Sequence, residues 1–189
     1  NNVVFNQRNL RNLSFQNTDL SGSTFDKCYL SHVHFPSGES LRDVSFKAAE
    51  IYDCDLSHLT EKSIDFSSAK FHSCKLPPNI FEDNSIGWDK TEFHQCVISS
   101  FADCAVLGKN FFKNCKIESN VFNQADPEMC RCSAFENCNL VESGLTSQHL
   151  IKTFGDSSNA LPHGLEHPQH WTSDRHMFKN QWERWKNEA

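Results

Sequence analysis

The sequence predicts an all-β coil that turns a corner every five residues and ends in a small helical cap. Three observations carry that prediction. Large apolar residues recur at every fifth position: Phe5, Leu10, Phe15, Leu20, Phe25, Leu30 and Phe35. Given the chain's Phe and Leu content, such a run arises by luck on the order of once in 10⁵. The residue two before each centre is mostly small, as at Thr18, Ser23, Cys28, Ala49, Cys54, Ala69 and Cys74, with Val3, Leu13, Val33, Val44 and Ile64 larger. Polar residues fill the positions between, as in "NTDLSGSTFDKCYL".

A period of five matches neither the 3.6 of a helix nor the 2 of a strand. It fits a chain that bends every five residues and sends one large side chain inward each time. Alternation within each short extended piece turns the residue two before it inward as well. After a one-residue slip the series resumes with Leu41, Phe46, Ile51, Leu56, Phe66, Phe71, Leu76, Phe81 and Ile86, broken by Glu61. Beyond an insertion at "GWDKT" come Phe93, Ile98, Phe101, Val106, Phe112, Ile117, Phe122, Phe135, Leu140 and Leu145. Arg8, Glu39 and Asn79 break the small-residue rule and mark rough coils or edges.

The pattern resembles the pentapeptide-repeat family, whose motif is a small residue, often Asp or Asn, Leu or Phe, then two polar residues. "NTDLS", "DCDLS", "SIDFS" and "NCNLV" carry it most plainly, and the resemblance covers roughly residues 3–145. It implies a right-handed quadrilateral β-helix with four pentapeptides per coil. Stacking equivalent centres then gives the column Phe15, Phe35, Leu56, Leu76, Ile98, Ile117, Leu140. Its companion column is Leu13, Val33, Cys54, Cys74, Cys96, Cys115, Cys138. About seven coils at a strand spacing of ~4.8 Å make a rod of roughly 30–35 Å, with two ends that need covers.

Irregular corners are expected at "PSGES", "HLTEKS", "EDNSIGWDKT" and "NQADPEMCRC". Such corners present unique side chains on an otherwise interchangeable scaffold. Trp88 is therefore a candidate contact for a protein partner, against the plainer reading that it folds back over a neighbouring face.

The repeats are expected to fill residues 1–145, with 146–189 a helical cap and interaction segment. "TSQHLIKTFGD" reads as a short helix with Thr146 or Ser147 as N-cap and Gly155 as its stop. "SSNALPHGLEHPQHW" reads as an ordered non-helical crossing. Ser173 is the expected N-cap of a last helix whose Phe178, Trp182 and Trp185 form one apolar stripe. Leu150, Ile151 and Phe154 are expected to close the last coil. The stripe either caps the open end or binds a partner or a second copy, since aromatic stripes favour interfaces. "FGDSSNALPHGLEHPQHW" also resembles a C-terminal segment found after the repeats in some bacterial members, which points to a bacterial origin.

The net charge of −6 lies wholly in residues 1–145, which hold 19 acidic and 13 basic residues. That mild excess disfavours direct nucleic-acid binding, which needs basic patches. No apolar run is long enough for a transmembrane helix. The chain lacks an initiator Met and starts inside the pattern, so it is expected to be processed or part of a longer chain. In the tail His167-x-x-His170 supplies one histidine pair, split by Pro168, and makes a poor zinc site. Cys130 and Cys132 are too close for a zinc knuckle or a redox Cys-x-x-Cys pair. No phosphate loop, nucleophile elbow or His-Glu-x-x-His motif occurs. Asp19, Asp53, Asp55 and Asp65 sit at outward positions and read as a solvated face. Seven of the nine cysteines (28, 54, 74, 96, 104, 115 and 138) take the small inward position. A thiol ladder of small apolar fillers is the simplest account, and free thiols imply a reducing cytoplasm.

These features predict a non-enzymatic protein-interaction scaffold without metal or cofactor. Its partner is a protein, with a homodimer through the C-terminal helix as one form. The resemblance adds an alternative, a DNA mimic that binds a type II topoisomerase such as gyrase. That mode needs a continuous acidic stripe, which Lys70, Lys75 and Lys116 interrupt. A further alternative is the recognition portion of a longer effector or membrane-linked protein.

Overall fold

The chain bends two residues after most apolar centres, where the backbone enters the left-handed region. Gln7, Asn12, Asn17, Gly22, Lys27 and His32 all have φ between 51° and 69°, and the series continues to Asn114, Cys132 and Asn137. Asn, Asp and Gly tolerate that conformation best, which explains the polar residues between centres. The computed structural model describes residues 2–59, 63–76, 88, 90–98, 109–118, 122–123 and 126–188. Phe81, Ile86, Phe101, Cys104, Val106, Glu61 and Asn79 lie outside them, with much of the second and third irregular segments.

Between corners run very short strands: β1 (Asn9–Arg11), β2 (Tyr29–Ser31), β3 (Glu50–Tyr52), β4 (Lys70–His72) and β5 (Glu92–His94). Then come β6 (Val97–Ile98), β7 (Phe111–Lys113), β8 (Lys116–Ile117), β9 (Ala134–Glu136), α1 (Ser147–Lys152), β10 (Phe154–Gly155) and α2 (Phe178–Glu188). All strand pairs are parallel, and one sheet has the order β1-β2-β3-β4-β5-β7-β9-β10. Leu10, Leu30, Ile51, Phe71, Phe93, Phe112 and Phe135 stand in register along it.

This sheet is the second side of a four-sided parallel solenoid. The first side is bridged through Val4, Thr24, Ser45 and Asp65. The third is bridged at Ser14–His34 and through Asp55, Lys75, Val97, Lys116, Asn139 and Ala160. The fourth is held by bonds such as Leu20 N–H to the Ser40 carbonyl, 2.8 Å. The seven rungs from Leu10 to Phe135 enclose about six turns, one fewer than expected, because a count of rungs includes both ends.

The interior is a set of columns. Rings stack along the first side as Phe5–Phe25–Phe46–Phe66–Trp88, with centroids 4.6–5.1 Å apart. On the second side Phe71, Phe93, Phe112 and Phe135 stack at 5.1–5.4 Å. A phenyl ring fills the slot without a hydroxyl to satisfy, which accounts for 16 Phe against two Tyr. Cys54, Cys74, Cys96, Cys115 and Cys138 form the expected column, each 1–4% exposed.

The tail departs from expectation in three places. Thr146 does cap α1, reciprocally with His149, but the helix ends at Lys152. Thr153 takes the inward slot and Phe154–Gly155 pairs with Ala134–Phe135, so Gly155 is the last rung of the second side and not a helix stop. A Cβ there would meet the Trp171 ring at 2.4 Å, so only glycine lets that ring lie flat on the end. Leu150 and Phe154 are buried as expected, whereas Ile151 is 55% exposed. The last helix starts later than Ser173: Asp174 caps a 3₁₀ turn, Arg175–Met177, and α2 follows.

Candidate functional site

The residues flanking each centre of the second side stand on its outer surface. There a second, external stack of rings climbs the solenoid. The Arg11 guanidinium lies 4.6 Å over Tyr29. Tyr29 stacks on Tyr52 at 4.8 Å, Tyr52 on His72 at 4.2 Å and His72 on His94 at 4.5 Å. His94 meets the edge of Phe111 at 5.8 Å. Both tyrosines of the chain belong to this strip.

Electrostatics tie the strip together at its middle. His94 Nε2 shares a 3.0 Å hydrogen bond with Glu92, and Lys179 of α2 reaches the same carboxylate at 3.1 Å. The His94 bond and the lysine hold the Glu92 carboxyl down at about 2. His72 is pressed between Tyr52 and His94, and its Nε2 is buried without a hydrogen-bond partner. Burial, then the neighbouring His94, pushes its pKa below the usual histidine value, which favours the neutral ring.

From Phe111 onward α2 covers the strip. Phe178 packs on Phe111 at 5.8 Å and on Phe154 at 5.2 Å. Trp182 stacks on Phe111 at 5.6 Å, and its Nε1–H donates to the Cys132 carbonyl at 3.0 Å. Trp185 is half-buried between His170, at 5.3 Å, and Phe154, at 5.7 Å. Three of the four residues singled out from sequence therefore meet on one wall, where Phe178 and Trp182 are occupied within the chain.

Trp88 stands apart from that wall. It is a centre of the first side, half-buried and stacked on Phe66 at 4.7 Å.

Sequence reasoning missed Tyr29, Tyr52, His72 and His94. The available signal was an aromatic residue directly after a centre, once per coil, at Tyr52, His72 and His94.

Carboxylates elsewhere on the surface alternate with lysines. Lys75 pairs with Asp55 at 3.2 Å, Lys47 with Asp65 at 3.0 Å and Lys70 with Glu50 at 3.8 Å. His167 bonds the Asn159 carbonyl and His170 the Thr153 carbonyl, so both work as tail anchors. Cys130 and Cys132 are buried, and the former takes a centre position of the first side. Among the described residues no cluster of three or more His, Cys, Asp or Glu is arranged for a metal ion, and no helix is long and apolar enough to cross a membrane.

A family model described as "Pentapeptide repeats" matches residues 1–35 in eight copies. Among solved structures, similarity extends to HetL, a pentapeptide repeat protein involved in heterocyst differentiation regulation in the cyanobacterium Nostoc sp. strain PCC 7120. Identity is 13% over 85% of this chain and 83% of that one, with a TM-score of 0.25. The pentapeptide repeat protein Rfr23 of the cyanobacterium Cyanothece 51142 is 12% identical over 84% and 88%, with a TM-score of 0.19. QnrB1, a plasmid-mediated fluoroquinolone resistance protein, is 11% identical over 98% and 97%, with a TM-score of 0.25. No curated protein matches the sequence.

Proposed function

We propose that the chain, whose residues 1–35 match the pentapeptide-repeat model, works as a non-enzymatic protein-interaction scaffold whose docking surface is the outer aromatic strip of the second side. The observation that supports this reading is the continuity of Tyr29, Tyr52, His72 and His94 with Phe111, on which the chain already seats an aromatic helix. A surface that holds Phe178 and Trp182 at one end offers rings of the same kind at the other. Aromatic anchors dominate the energetics of protein interfaces. Residues 146–189 serve in this reading as cap and clamp. The buried, free thiols of the column Cys54, Cys74, Cys96, Cys115 and Cys138 fit a reducing cytoplasm. The lysines paired with Asp55, Asp65 and Glu50 speak against the acidic stripe that topoisomerase mimicry requires.

The test is capture from a bacterial extract with two matched baits, the wild type and Tyr29→Ser/Tyr52→Ser, after thermal melts establish equal folding. A protein retained at least tenfold better by the wild type supports the strip. Equal retention of every captured protein by both baits would overturn it. A gyrase supercoiling assay run alongside separates the mimicry alternative: inhibition unaffected by the double substitution would replace the scaffold reading with that one.

A further inference from the structure

The outer strip has a weak point at its centre. Tyr52 and His94 each find a carboxylate two residues earlier on the same strand. The Tyr52 hydroxyl donates to Glu50 at 3.5 Å, and His94 shares its 3.0 Å bond with Glu92. His72 stands between them in the same column. The residue two before it is Lys70, which is turned to Glu50 at 3.8 Å. The His72 Nε2 is left buried without a hydrogen-bond partner.

The strip is continuous only through this ring. Tyr52 stacks on one face of His72 at 4.2 Å and His94 on the other at 4.5 Å. Tyr52 and His94 are therefore two ring spacings apart, beyond the reach of a direct aromatic pair. Along this strip, the tyrosine half joins the half that leads to Phe111 and α2 at His72 alone.

A proton on the stacked ring would meet charges already committed elsewhere. From β3 it faces Glu50, which Lys70 and Tyr52 engage. From its own strand it faces Lys70, a like charge. From β5 it faces His94 and Glu92, and that carboxylate is bonded by His94 and by Lys179 of α2 at 3.1 Å. A buried charge without a partner is costly. The ring lies on the outer surface, so turning outward hydrates it and relieves that cost. Burial, then His94 and Lys70, lower the His72 pKa from the ordinary 6.5 against the opposing pull of Glu50 and Glu92.

We infer that His72 is a proton-operated break in the strip: neutral, it joins the two halves, and protonated, it swings out and parts them. Resting on the docking reading above, the consequence is release of the docked protein as pH falls. The sign follows from linkage. A base with a lowered folded pKa favours the stacked state fully above 6.5, and that state loses ground as pH falls below it. In that window α2 stays seated, because the Glu92 carboxyl is held down at about 2.

Imidazole and Tyr52 ring resonances of the full chain, followed by NMR from about pH 8 to about pH 5, test the break. The His72 midpoint is expected below 6.5. The Tyr52 ring protons should shift with that same midpoint as they lose the stacked ring. His72→Phe keeps a ring in the slot without a titrating nitrogen, so its Tyr52 resonances should stay still. A His72 midpoint at or above 6.5 would overturn the break. So would Tyr52 resonances that ignore His72, or that still move in His72→Phe. Repeating the capture at about pH 7.5 and about pH 5.5 tests the release. A protein held through Tyr29 and Tyr52 should be retained about tenfold less by the wild type at the lower pH, and equally at both by His72→Phe. Equal retention by the wild type at both pH values overturns the release and leaves the docking reading standing. Capture of no strip-dependent protein counts against the docking reading, while the resonances still decide the break.

Discussion

The thiol of Cys74 lies 3.4 Å from the Ile51 carbonyl, that of Cys115 3.3 Å from Phe93 and that of Cys138 3.3 Å from Phe112. Cys54 lies instead 3.3 Å from the Tyr52 carbonyl, but each acceptor named here is a second-side centre one coil earlier, so each of these S–H groups has the same job. It satisfies a corner carbonyl while filling a slot too small for a larger side chain. Burial pushes four thiols of the column up, Cys96 to about 12 and Cys54, Cys74 and Cys115 in the same direction. At pH 8 the native protein should leave the column unlabelled by a thiol reagent that titrates every cysteine in urea. Rapid native labelling of Cys96 or Cys115 would contradict the packing. The linkage has a definite sign. A folded pKa raised above the ordinary 9.0 gives stability that is complete below pH 9 and declines as pH rises toward 12. Urea midpoints should hold flat from pH 7 to 8.5 and fall above 9, less steeply in Cys96→Ser. The cysteine column was legible in the sequence because its phase survives every slip. Trp88 was not, because the irregular stretch before it hides the phase; Lys90, left-handed two residues later, marks Trp88 as a centre.

The aromatic stripe of α2 was equally legible as a helix with Phe178, Trp182 and Trp185 on one face, but the wall it meets was not. That wall is made of Phe111, Ala134 and Phe154, each directly before a rung centre and therefore outward. A fivefold pattern assigns such positions to solvent. Phe111 beside the true centre Phe112 was the residue that a strict inward and outward alternation left unexplained. The clamp should be separable from the coils. Trp182→Ala removes a buried indole and its bond to the Cys132 carbonyl, at a cost of about 3–5 kcal/mol. Most of that cost should appear as detachment of α2, with fast amide exchange over 178–188 and unchanged protection at Phe71 and Phe93. The clamp should also respond to acid. Glu92 is held at about 2, first by its bond with His94 and then by Lys179. Its stabilising effect is complete above about 4.5 and is lost as pH falls toward 2. Amide exchange in α2 should accelerate across that window, and Glu92→Gln should remove the dependence.

At the scale of the molecule each coil touches only its neighbours, so stability adds along the axis and losses should stay local. Gly155→Ala is a strong probe of that rule. The new methyl would meet the Trp171 ring, which must then leave the end and give up its bond to the Thr153 carbonyl, 3.1 Å. Overpacking of this kind costs about 1–3 kcal/mol, and it acts where the last turn is sealed. Hydrogen exchange should therefore rise at Phe154 and α1 and less at Phe135. The rungs at Phe71 and Phe93 should not change, held as they are by coils on both sides. In the wild type the same rule predicts a graded profile, with protection highest around Phe71 and Phe93 and lower toward the capped end at Phe154 and α1. The fold class, read from a period of five, requires this gradient only if coils behave as independent units. If Gly155→Ala lowers protection by the same factor from Leu10 to Phe135, the solenoid unfolds in one step, the ends are coupled through the ring columns, and the nearest-neighbour picture fails.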